Sequence, residues 1–327
     1  MSTHLLSPRR ATGARPGVLL PTLGLSAAVL LLLLRWVDPG HDAVDQLGPL
    51  TRLAMHVAGV LTVGWLALAA LVLDRSGGPL SGSQRHCLRL AGVAARAWAL
   101  AAGAAWLVTV LVAQGTDAQD ASGVAHEQGR SWGLSLLVVV VVAVLVAVTS
   151  RHLPTADAAN VLLALAVAGV VLPVAAGHTG AAHGDPGAIV AVSVHVASGS
   201  VWVGGLLALL ALLRVVPDVV EEALPRFSGL ALLCVAALGA SGLLTAATRV
   251  DGLAALTGTE YGRLVLLKAL LLVVVCALGA RQRRTVLTGL RERGVTVAFA
   301  RLATAEVVVL TVVLAVGAAL SHAGTGH

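Results

Sequence analysis

Long apolar runs alternate along this chain with short polar connections that carry most of its arginines. A helix needs about 20 apolar residues to cross a bilayer core. Nine runs approach or exceed that length: roughly 18–37, 50–73, 91–113, 132–149, 157–176, 189–213, 227–248, 263–280 and 301–321. They are continuous and rich in Leu, Ala and Val, whereas the strands of a membrane barrel would be shorter and would alternate apolar with polar positions. The pattern predicts an all-α fold: a polytopic transmembrane bundle of about nine helices.

Composition points the same way. Of 327 residues, 57% are hydrophobic and only 12% are charged, against about a quarter charged in a soluble domain. Too few charges remain to cover a water-facing surface, so the expected surroundings are a lipid bilayer. The first run follows Arg9, Arg10 and Arg15, the outline of a signal peptide. However, Leu34 leads into Arg35, Trp36 and Val37 with no small-residue cleavage site, and the run is read as a retained helix.

Net charge is +6, which in a soluble chain would suggest nucleic acid. Here the cations sit between apolar runs, where they report topology. With the N-terminus inside, nine crossings put sixteen of the 22 Lys and Arg residues on the inner side and the C-terminus outside. Tyr occurs once and Phe twice, so there is no aromatic platform for stacking bases, and no nucleic-acid partner is expected. No G-x-x-x-x-G-K-[ST] motif is present, and the chain is read as neither an ATPase nor any other enzyme. Cys87, Cys234 and Cys276 form no C-x-x-C pair and are read as small apolar filler.

The histidines were not used to set that topology. His41, His56, His126, His178, His183, His195, His322 and His327 fall on or near the outer side, which is eight of the 11 in the chain. His195 lies about six residues inside its run, roughly 9 Å deep at 1.5 Å per residue. An ionisable group at that depth is costly and is a functional candidate; its bland counterpart is a neutral His donating a hydrogen bond between helices. Gly199 and Trp202 share its face, while Ser200, Gly204 and Ala208 form a small-residue ridge that admits another helix. His56 lies at similar depth in the second run.

These two runs echo one another: Met55-His56-Val57-Ala58 with Gly64-Trp65 in one, His195-Val196-Ala197 with Trp202-Val203-Gly204-Gly205 in the other. If the two helices pack together, their imidazoles can face each other. The connection 177–185, with His178, His183 and Asp185 on a Gly-rich backbone, reads as an outer loop above His195. His178, His183 and His195 together can supply three nitrogens to a metal, and the tail can add His322. Imidazole suits copper, zinc, nickel and haem iron. Met occurs only twice, so a His-dominated site leans toward Cu(II) or haem over a thioether Cu(I) path. Lys268 and Glu306 are the other embedded charges, read as helix-registering residues.

Three stretches carry a resemblance to a known family: His195 with Ser200-Val201-Trp202-Val203-Gly204-Gly205-Leu206; Ser241-Gly242 leading through Tyr261-Gly262 to Lys268; and Arg301 to Glu306. Over about residues 177–320 the chain resembles the copper resistance D (CopD) family of bacterial membrane proteins. That resemblance implies copper. It divides the chain into an N-terminal region, 1–176, holding helices one to five, and a CopD-like region, 177–327, holding helices six to nine.

The resulting expectation is a multi-pass protein of the cytoplasmic membrane that moves copper, inward, through an outer site drawn from His195, His178, His183, His56 and His322. A separate periplasmic or extracellular copper-binding protein is its expected soluble partner. The alternative is a transmembrane electron carrier holding haem b between His56 and His195.

Overall fold

The computed structural model describes residues 47–73, 80–115, 123–150, 152, 155–181, 186–247, 257–258 and 260–289. These form seven helices: α1 (Leu47–Ala67, continued by a π-helical turn, Leu68–Val72), α2 (Gly82–Gly115), α3 (Gly123–Thr149), α4 (Ala156–Ala181), α5 (Pro186–Leu212), α6 (Pro217–Ala247) and α7 (Glu260–Gly289). Among the described residues there is no strand. Seven of the nine predicted runs thus coincide with helices; the first and ninth, 18–37 and 301–321, lie outside the described residues.

Among the described residues five helices are long and apolar enough to cross a membrane: Leu50–Val72, Gly82–Leu111, Asp157–Ala175, Pro186–Leu212 and Pro217–Ala247. The apolar part of α3, Gly133–Thr149, is shorter. Run 263–280 is helical within α7 but is not one of the five. On α3, Leu134, Leu137, Val138, Val141, Val144, Leu145 and Val148 all face outward. A continuous apolar surface of that kind is costly in water and ordinary in lipid. The chain is a multi-pass membrane protein.

The helix ends follow local sequence rules. Pro186 and Pro217 open α5 and α6, where a missing N–H costs nothing. Thr155 caps α4 by accepting from the Ala158 N–H at 3.4 Å. Ser81 and Gln84 form a reciprocal capping box before α2: the Gln84 N–H donates to Ser81 Oγ at 3.2 Å, and the Ser81 N–H donates to Gln84 Oε1 at 2.9 Å.

α1 is the hub. It packs on α2, α4 and α5, while successive helices from α2 to α7 also pack pairwise. In lipid there is no hydrophobic drive to bring helices together, so close approach depends on small residues. Trp98 of α2 illustrates this: fully buried, it lies against Gly59 of α1 and Gly169 of α4, where added Cβ atoms would come within 3.0 Å and 2.7 Å of its ring. The predicted ridge on α5 does admit another helix, and that helix is α1. Gly204 meets the backbone of α1 at Val60 and Gly64, and Ser200 and Ala208 are buried beside it.

α5 and α6 form an antiparallel hairpin about a tight turn. In it the Leu213 N–H donates to Leu209 O at 2.9 Å, and the Val215 and Val216 N–H groups both donate to Leu212 O at 2.9 Å. At the turn end, Gly205 accommodates Phe227, whose ring would lie 2.6 Å from a Cβ at that position.

Two bonds pin the same end of the bundle. The π-helical turn closes with the Leu73 N–H donating to Leu68 O at 2.9 Å, leaving neighbouring carbonyls to find other donors. Gln84 Nε2 donates to Ala69 O at 3.1 Å, and Arg226 of α6 donates to Val72 O at 3.3 Å. A cation at the C-terminus of a helix also meets the favourable end of its dipole.

Candidate metal site at the α5–α6 interface

His195 lies nine residues beyond Pro186, the first residue of α5, which is about 14 Å along the helix. α5 therefore begins three residues before the apolar run 189–213. The His195 side chain is half-buried and faces α6: His195 Nδ1 lies 3.1 Å from Ser241 Oγ. Ser241 is buried, and its Oγ lies 3.1 Å from the carbonyl of Leu238 one turn earlier. Thr245 Oγ1 in turn donates to Ser241 O at 2.9 Å.

The surrounding positions are small. A Cβ at Gly242 would sit 3.9 Å from His195 Cε1, and one at Gly199 would sit 3.8 Å from the Leu238 side chain. The ring edge thus lies in a niche left open by Gly242, with Nδ1 against Ser241. His195 stands 17 residues before the end of α5 and Ser241 stands 24 after the start of α6, so the hairpin lays the two helices side by side without alone setting the two residues level.

His56 does not join this pair. It is half-buried on α1, one turn before Val60, on the side that meets α5. On α5, however, His195 precedes Gly204, the contact with α1, by nine residues, or 2.5 turns. That places His195 on the face of α5 opposite α1. The two helices pack as the sequence suggested, but the rotation directs His195 to α6.

The expected outer loop 177–185 is shorter than the sequence suggested. α4 continues through Ala181, so His178 lies in its last turns, where the structure describes the backbone alone. His183 and His322 lie outside the described residues, as does Glu306. Among the described residues no three His, Cys, Asp or Glu side chains converge on one point. None of the three cysteines forms a disulfide.

Ser241 is the site residue that sequence reasoning missed. It stood in one of the motifs, but nothing paired it with His195.

No curated protein and no solved structure matches the chain. One family model does, over residues 221–320, just under a third of the length. Ser241, Gly242 and Lys268 lie inside that stretch, as do Arg301 and Glu306, whereas the His195 helix precedes it. That stretch is similar to the family described as copper resistance protein D.

Proposed function

We propose that this protein carries copper across the cytoplasmic membrane, inward, and that His195 is a ligand at the outer entrance of the path. One observation supports this reading above the others: the imidazole of His195 is bonded to Ser241, a residue of the CopD-matching stretch. The pair joins an embedded imidazole to the segment that carries the copper association. Metal-binding imidazoles are ordinarily oriented in this way, by a hydrogen bond from the ring nitrogen that does not meet the metal.

His178, His183 and His322 are the further nitrogens proposed for the entrance, all placed by sequence on the side to which α4 and α5 bring their shared connection. A soluble copper-binding protein outside the membrane is the proposed donor, and copper is cargo with no reaction performed on it.

Cellular copper content, with and without the chain, tests the reading. Cells producing the protein are expected to accumulate more copper at a fixed external concentration. Unchanged or reduced copper would overturn inward transport. An optical spectrum of the purified protein tests the haem alternative, for which a Soret band with reducible α-bands is the signature.

A further inference from the structure

We propose that Ser241 is a positioning residue that fixes the proton of His195 on Nδ1 and so makes Nε2 the nitrogen that binds copper. This rests on the reading of His195 as a copper ligand.

The argument is one of proton counting. A serine hydroxyl has one proton to donate and lone pairs to accept with. Ser241 Oγ is 3.1 Å from Leu238 O and 3.1 Å from His195 Nδ1. Leu238 O can only accept. Both contacts are hydrogen bonds in one arrangement alone: Nδ1–H donates to Ser241 Oγ, and the hydroxyl donates to Leu238 O. A neutral imidazole carries a single N–H, so its lone pair is on Nε2. A cation that binds there displaces no proton from the ring.

The niche supports the same assignment. The Cε1 edge, which joins the two ring nitrogens, lies over Gly242, so the ring is approached closely on that edge without a side chain over it. Ser241 is buried and anchored to its own helix through Leu238. Rotation of the imidazole therefore means giving up a bond whose acceptor is held in place. Partners of this kind are typically worth about 10–100-fold in metal affinity.

The test uses the full-length protein, purified, with 15N-labelled histidine and no copper. The resonances of His195 are identified by their loss in His195→Ala. In the wild type, Nδ1 should carry the proton and Nε2 the lone pair. Ser241→Ala should replace that signature with a mixture of tautomers and weaken binding of added Cu(II) by about 10–100-fold. Ser241→Thr, which keeps the hydroxyl, should restore both and shows that the loss is not one of folding.

A wild-type proton on Nε2, or an Nδ1–H signature that survives in Ser241→Ala, would overturn the positioning role. Cu(II) binding by His195→Ala at wild-type strength would instead overturn the copper reading, whatever the tautomer.

Discussion

Gly64 of α1 and Gly204 of α5 meet backbone to backbone, and neither position has room for a Cβ. A substituent at Gly204 would run into the carbonyl of Val60 and the main chain of Gly64, and one at Gly64 into the main chain of Gly204. The two helices that echo one another in sequence are thus in contact through the glycines that form part of the echo. This crossing holds α5, and through it the His195–Ser241 pair, against the hub of the bundle.

Gly204→Val should therefore separate α1 from α5. Overpacking a tight contact ordinarily costs about 1–3 kcal/mol, and here the obstacle is backbone that cannot rotate away, so the upper end applies. Thermal unfolding in detergent measures this. A melting temperature equal to the wild type's would show that the crossing is looser than described.

Much of the fold was legible in the sequence because a bilayer leaves few alternatives: backbone groups must be satisfied within each segment, and long apolar runs become helices. Run 157–176 became α4 and run 189–213 became α5, with ends displaced by up to five residues. The displacement mattered. Residues 177–181 looked like loop because Gly177 and Gly180 are poor helix formers, yet α4 continues through them. The Ser200-Gly204-Ala208 ridge was legible because small residues at a spacing of four have a single evident use in a membrane. Ser241 was not legible, because its meaning lies in a hydrogen bond spanning 46 residues and requires the rotation of both α5 and α6 to be known.

Arg226 should contribute stability without touching the His195–Ser241 pair. It stands 15 residues before Ser241 on α6, about 22 Å away along the helix, and donates to Val72 O at the opposite end of the bundle. Interhelical hydrogen bonds in membranes are worth roughly 0.6 kcal/mol on average and at most about 1.7 kcal/mol. Arg226→Met should lower stability by about that range and leave Cu(II) affinity unchanged. A tenfold loss of Cu(II) affinity in this variant would mean that the two ends of α6 are coupled.

The orientation of the bundle is open to direct measurement. The connection after α5 carries Arg214, and the last turns of α7 carry Arg281, Arg283 and Arg284; by the excess of cations on inner loops, both are expected at the cytoplasmic face. A reporter inserted at 213–216 should read as cytoplasmic and one between α4 and α5 as external. The reverse result would put His195 at the inner end and remove the outer-entrance reading.

The central claim is that His195 is a copper ligand, and its replacement tests that claim most directly. The ring edge lies over Gly242 and Nδ1 is hydrogen-bonded to Ser241, so truncation removes a nitrogen and that hydrogen bond. His195→Ala should reach the membrane at wild-type levels yet lose most Cu(II) binding and most copper-dependent accumulation in cells. His152→Ala, at an exposed residue between α3 and α4, should match the wild type in both. Copper accumulation at the wild-type level in His195→Ala would contradict the account.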